Sequence, residues 1–302
     1  MTQLTGVIPP VCTPMTPDRQ VDTASLTRLV DHLLDGGVDA LFVLGSSSEV
    51  AYLTDEQRRV VLDTVVGHVG GQVPVLAGVI DMTTPRVLDH ARAALAGGAS
   101  ALVATAPFYT RTHPEEIRTH FRGIAAAVEL PLYAYDLPVS VHTKLSAELL
   151  LDLAAEGVLA GVKDSSGDDG GLRRVIMGRE APFSVLTGSE VTVDCALWMG
   201  ADGVVPGLGN VDPHGYVELV AAAGRGDWET ARKEQERLIR LFEIVRVGGG
   251  RMGGSSAGLG AFKAALHLRG VIACPLTALP QIPLDDDETA AIGRLLAAAG
   301  LL

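Results

Sequence analysis

Aromatic side chains make up only 4% of this 302-residue chain, cysteines number three, and acidic residues outnumber basic ones to give a net charge of -12. Each scarcity removes a class of function. The negative balance, with no basic run to track phosphates and few rings to stack bases, argues against a nucleic-acid surface. Cys12, Cys195 and Cys274 are odd in number and widely spaced, which fits reduced, partly buried thiols rather than a disulfide framework or a zinc site. No stretch runs about 18 apolar residues without charge, and the opening MTQLTGVIPP lacks the basic start and apolar core of a signal peptide. The expectation is a cytoplasmic protein with no metal site and no membrane partner.

What is present is a large apolar fraction, 47%, arranged as a repeat. Strand-like and helix-like segments alternate: 6–13 then 22–34, 38–44 then a helix from Thr54 whose Thr54 and Gln57 form a capping box, and 73–79 then a helix opened by Thr84 and Pro85. The alternation continues with strands at 99–104, 131–135, 158–162, 183–186 and 203–205. About eight βα units close a barrel, so the fold class is α/β, a TIM (β/α)8 barrel. After Asp212 only helical patterns follow. Residues 1–223 are expected to form the catalytic barrel and 224–302 a C-terminal helical extension, with the glycine-rich VGGGRMGGSSAGLG as a flexible connection rather than a phosphate loop.

In such barrels the reactive groups sit where strands end. Strand two ends in Gly45, Ser46, Ser47, Ser48 and Glu49, strand four before Phe108 and Tyr109, strand five in Tyr135 and Asp136, and strand six in Lys163. Hydroxyls and loop amides suit a carboxylate, a tyrosine suits proton transfer, and a desolvated lysine suits covalent capture of a ketone. The chain has only Lys144, Lys163, Lys233 and Lys263, and of these Lys163 alone ends a barrel strand. Its plain alternative is a structural lysine paired with Asp164. A packing role for Tyr135 and a helix-entry role for the serine run are the corresponding alternatives there.

The joint order of these segments resembles that of the dihydrodipicolinate synthase and N-acetylneuraminate lyase family of lysine-dependent aldolases. GSSSE at 45–49 resembles the family's Gly-(Ser/Thr)-(Ser/Thr)-Gly-Glu loop, PFY at 107–109 its Pro-aromatic-Tyr, YDLP at 135–138 its Tyr-Asn-x-Pro, and GVKDSSG at 161–167 its Schiff-base segment. GLGN at 207–210 and the helical tail also fit. The resemblance implies that Lys163 binds the keto carbon of pyruvate or a related 2-oxo acid and that Tyr135 is the general acid/base. It implies that Ser46 and Ser47 hold the substrate carboxylate or relay protons, that Gly188 and Val205 line the pocket, and that no cofactor beyond the lysine is needed. Tyr109 resembles the tyrosine donated to a neighbouring subunit, which implies a homotetramer built from dimers.

Three positions depart from the family pattern. Ser140 stands where dihydrodipicolinate synthases carry an arginine that grips a second carboxylate, and a serine cannot replace a bidentate charged contact. Ser48 replaces glycine beside the expected substrate pocket, and Asp136 replaces asparagine. Arg111, His113 and His142 add polar groups near the rim. The expected function is therefore a Schiff-base lyase that cleaves, condenses or dehydrates a 2-keto-3-deoxy sugar acid or similar 2-oxo acid. The alternatives are a 4-hydroxy-tetrahydrodipicolinate synthase joining pyruvate to aspartate semialdehyde, a barrel that binds a 2-oxo acid without catalysis, and a phosphate-binding barrel using Gly188 and Gly207.

Overall fold

The strand–helix alternation takes shape as eight parallel strands in the order β1-β8-β7-β6-β5-β4-β3-β2. The computed structural model describes residues 3–180 and 182–302. The strands are β1 (Gly6–Val7), β2 (Leu41–Val43), β3 (Val75–Gly78), β4 (Ala101–Thr105), β5 (Leu132–Asp136), β6 (Gly161–Asp164), β7 (Ser184–Thr187) and β8 (Gly203–Val204). The two ends meet through a parallel bridge from Pro10 to Phe42, reinforced by Val11 N–H donating to the Phe42 carbonyl at 2.8 Å. The sheet thereby closes into a barrel, as the count of units predicts.

Eight helices clothe the barrel: α1 (Thr23–Asp35), α2 (Asp55–Val69), α3 (Thr84–Ala96), α4 (Pro114–Ala127), the short α5 (Pro138–Val141), α6 (Ala147–Ala155), α7 (Asp169–Gly178) and α8 (Val193–Met199). Four more follow: α9 (Pro213–Gly224), α10 (Trp228–Phe242), α11 (Gly254–Leu268) and α12 (Asp286–Ala298). The division drawn at 223/224 falls in the last turn of α9. The capping box at Thr54 and Gln57 is present. At α3 the cap is Thr83, without a side-chain bond, rather than Thr84.

Period-two alternation sorts side chains into two apolar layers. Phe42, Leu76, Val103, Tyr133, Tyr135, Leu186 and Val205 fill the barrel interior. Ala77, Leu102, Ala134, Val162, Val185 and Val204 face outward onto the helices. Gly161 is the exception inside, because a Cβ there would lie 2.5 Å from the Tyr133 ring.

Two expectations from the sequence are corrected. Strand six, expected at 158–162 and ending in Lys163, runs instead from Gly161 to Asp164, so Lys163 lies within it as an inward-facing residue. The glycine-rich stretch is not wholly a connection either. From Gly254 it forms the first turns of α11, since alanine and leucine farther along the helix pack against the barrel and outweigh the glycine cost.

The tail is tied to the barrel by a dry ion pair. Lys263 of α11 and Glu49, the last residue of the GSSSE loop, bond each other with both side chains fully buried. Lys263 also donates to the Leu276 carbonyl at 2.9 Å, and Glu49 accepts from Ala278 N–H at 2.6 Å. The neighbouring Cys12 thiol is pushed up to about 12 by burial, which Lys263 opposes and Glu49 reinforces, so it is an inert thiol. Removing one partner strands a buried charge. Lys263→Met is expected to cost about 3–5 kcal/mol of stability, and the double change with Glu49→Gln clearly less, measured by urea unfolding.

Candidate active site

At the C-terminal end of the barrel, β5 and β6 lie in register with Tyr135 opposite Lys163 and Asp136 opposite Asp164. Alternation turns the first pair inward and the second outward. The Lys163 amine stands 4.0 Å from the centroid of the Tyr135 ring and 5.0 Å from that of Phe42, and those two rings meet edge to face at 6.4 Å. Lys163 is only 6% exposed. Among the described residues no carboxylate lies within ion-pair distance of its amine, so the pairing with Asp164 is not formed; Asp164 instead accepts from Ser166 N–H and Oγ–H at 2.8 and 2.7 Å. An amine that faces aromatic rings and no carboxylate is left open to act as a nucleophile once deprotonated.

Tyr135 is buried, which by itself raises the pKa of a phenol, yet the adjacent Lys163 charge and the neighbouring Ser46 and Ser165 side chains bring it below the ordinary value of 10. The phenol is therefore poised to exchange protons with the amine and the serines. Ser165 was not singled out from the sequence. The signal was available, because it lies two residues beyond Lys163 and so shares its face of the strand line. Phe42, the wall beneath the amine, was missed as well, since an aromatic inside a strand reads as core.

Gly188 follows β7 and donates its N–H to the Asp164 carbonyl at 2.7 Å. A Cβ there would lie 1.9 Å from Ser165 Oγ and 3.2 Å from Lys163 Cε, so glycine keeps open the approach to the amine. Val205 lines a small interior void together with Lys163, Phe42 and Leu186. Ser46 is exposed and Ser47 half-buried in the loop after β2.

Other expected site residues stand elsewhere. Ser48 is fully buried and donates from Oγ to the Val11 carbonyl at 2.5 Å, while its own carbonyl accepts from Thr13 Oγ1 at 2.8 Å. The hydroxyl that replaces glycine thus ties the loop to the chain after β1. Tyr109 is 89% exposed with a left-handed backbone, φ 76°, and is not gathered around Lys163 within this chain. Ser140 is exposed in α5. His113 caps α4, accepting from Glu115 N–H at 3.2 Å within a capping box, which accounts for it without a substrate. A separate cavity of 550 Å³ opens at the opposite end of the barrel, lined by Gln3, Glu129, Tyr133, Ala160 and Pro182. No lysine lines it.

Glu190, two residues beyond Gly188, accepts from Gly207 N–H at 2.6 Å and from the Tyr216 hydroxyl at 2.8 Å. Burial raises its carboxyl to about 6 against those bonds. It straps the loop after β7 to GLGN at 207–210, where the fully buried Asn210 accepts from Cys12 N–H and donates to the carbonyls of Pro10 and Gly207. The glycines there are thus occupied in closing the barrel.

If the Lys163 charge holds the Tyr135 phenol down, removing it must let the phenol rise. Lys163→Met is expected to shift the Tyr135 titration to higher pH, followed as phenolate absorbance with Tyr135→Phe subtracted. A shift to lower pH would contradict the assigned geometry.

Known proteins resemble this chain along nearly its whole length. The profile of the Dihydrodipicolinate synthetase family matches residues 3–299. A DapA-like lyase of Halobacterium salinarum is 37% identical over 299 residues, covering 99% of this chain and 95% of its own length. The 4-hydroxy-tetrahydrodipicolinate synthase of Salinibacter ruber is 34% identical over 235 residues, 78% of each chain. Among solved structures, YagE, a prophage protein of the dihydrodipicolinic acid synthase family from E. coli K12 in complex with pyruvate, superposes over 100% of both chains with a TM-score of 0.93 at 28% identity. Dihydrodipicolinate synthase of Bacteroides thetaiotaomicron covers 99% of this chain and 100% of its own, with a TM-score of 0.92 at 30% identity. With its barrel and its family profile in agreement along nearly the whole length, the chain belongs to the dihydrodipicolinate synthetase family and is a lyase of that family.

Proposed function

We propose that the protein captures a 2-oxo acid, pyruvate or a 2-keto-3-deoxy sugar acid, as a Schiff base on Lys163. The observation that carries this is the desolvated amine 4.0 Å over the Tyr135 ring with no carboxylate to neutralise it among the described residues. Lys163 gives up its proton by way of Tyr135, the free amine attacks the keto carbon, and the carbinolamine takes up a proton and loses water to give a protonated imine. Tyr135, whose phenol is brought down by Lys163 and by the neighbouring Ser46 and Ser165 side chains, moves the protons of that dehydration and of the carbon–carbon bond step that follows. Ser46 and Ser47 are assigned to the carboxylate, and the opening at Gly188 admits it. The imine supplies the electron sink, so no external cofactor is required. Tyr109, exposed and held in a left-handed conformation, is assigned to a neighbouring subunit's site in a homotetramer. Three free thiols fit a reducing, cytoplasmic setting.

The second reading is 4-hydroxy-tetrahydrodipicolinate synthesis, favoured by the name of the Salinibacter ruber relative. Ser140 weighs against it, because the position assigned to gripping a second carboxylate carries no guanidinium. A polyhydroxylated partner suits this rim better. Efficient condensation of pyruvate with aspartate semialdehyde by the purified protein would reverse that order.

The test is intact-protein mass measurement after pyruvate and borohydride, with peptide mapping. A reduced adduct is expected on Lys163 and none on Lys163→Ala. Tyr135→Phe is expected to retain some adduct while turnover falls by about 10²–10⁴. An equal adduct on Lys163→Ala would move the nucleophile elsewhere, and no adduct with pyruvate or any longer 2-oxo acid would sink the covalent reading.

A further inference from the structure

Directly outside the catalytic pair, the register of β5 and β6 sets two carboxylates side by side. Asp136 follows Tyr135, Asp164 follows Lys163, and the two are cross-strand partners on the outer face, 0% and 6% exposed. Like charges directly opposite in a sheet push the strands apart. Here the repulsion acts one residue from the atoms whose spacing the chemistry needs.

One cation answers both. The Lys144 amine bonds Asp136, stands 3.8 Å from Asp164, and donates to its neighbour's carbonyl, that of Leu145, at 3.0 Å. Leu145 N–H in turn donates to Asp136 Oδ1 at 3.0 Å, and the Asp136 carbonyl accepts from Ser165 N–H at 2.9 Å. Lys144 therefore joins the loop after α5 to the ends of both catalytic strands. The side chain is half-exposed, whereas both carboxylates are buried. Burial still holds Asp136 above the ordinary carboxylate range against the Lys144 and Leu145 bonds, with Asp164 pushing the same way.

We infer that Lys144 is a positioning residue that neutralises the Asp136 and Asp164 pair and thereby locks Tyr135 against Lys163. The asparagine of the family pattern at position 136 would have no charge to neutralise, so the aspartate and the lysine form one device. Lys144 touches no reacting atom. Its action is confined to the spacing of two strand ends, and this inference rests on the Schiff-base reading of Lys163.

The experiment follows the rate of borohydride trapping with pyruvate as a function of pyruvate concentration. In Lys144→Met the maximal rate is expected to fall about tenfold or more, with the half-saturating concentration held within about threefold because the Ser46 and Ser47 loop is not displaced. Lys144→Arg is expected to restore the maximal rate to within about threefold of the parent. A generally weakened fold would instead lower the amount of protein trapped and leave the rate of the folded fraction intact. Should Lys144→Met not fold, the double change Asp136→Asn with Lys144→Met, which removes the repulsion, is expected to fold and to trap within about threefold of the parent. Folded Lys144→Met trapping at the parent rate would overturn the inference, as would Lys144→Arg no faster than Lys144→Met, or a folded double variant slowed about tenfold. A parent that forms no adduct would overturn the Schiff-base reading and this inference together, whereas a parent that traps and a Lys144→Met that traps equally fast defeats the inference alone.

Discussion

The structure depends on keeping one amine inside an apolar barrel without giving it a carboxylate. Lys163 faces inward from β6 among rings and aliphatic side chains, where a charged ammonium is costly. Much of the surrounding design follows from that constraint. Tyr135 supplies a polarisable face and a proton-exchanging hydroxyl, Gly188 leaves room at the amine's side, and Asp164, the nearest carboxylate in sequence, is turned to the opposite face by the pleat. A lysine one position earlier or later on the same strand would point at the helices instead.

The loop that faces this amine is held from outside the barrel. Glu49 ends the GSSSE loop in a left-handed conformation, φ 61°, and its N–H donates to the Ser46 carbonyl at 3.0 Å. Its carboxylate is fixed by Lys263 from α11 and by Ala278 N–H. The helical tail is thus a brace for the serine loop. On the other side, Ser48 ties the same loop to Val11, and Glu190 ties the exits of β7 and β8 together. The loops after β2, β7 and β8 are each bonded to a different part of the chain.

The departures from the family pattern acquire physical meanings of different kinds. Ser48 is a buried structural hydroxyl that donates to the Val11 carbonyl, while its own carbonyl accepts from the Thr13 hydroxyl. Asp136 belongs with Lys144 and cannot be understood as a single substitution. Ser140 is exposed in α5 and has no part in holding the fold together. The amine and its phenol sit on strands facing inward, whereas Ser48, Asp136 and Ser140 sit on a loop, on the outer face and on the exposed α5.

The sequence by itself determined the architecture, because eight apolar runs alternating with amphipathic helices have few other ways to bury themselves, and it singled out Lys163, because an isolated lysine ending an apolar run has no structural economy. The end of strand five likewise pointed to Tyr135, and the period-two rule, followed two residues beyond Lys163, points to Ser165. Only the tertiary structure decided what lay beyond local pattern. The pairings of Glu49 with Lys263 and of Lys144 with Asp136 and Asp164 join segments whose sequence gives no hint of the partner, since a surface lysine and a buried one are written alike. The inward start of β6 and the helical use of the glycines from Gly254 were set by packing, which overrides local propensity when the buried face is large enough.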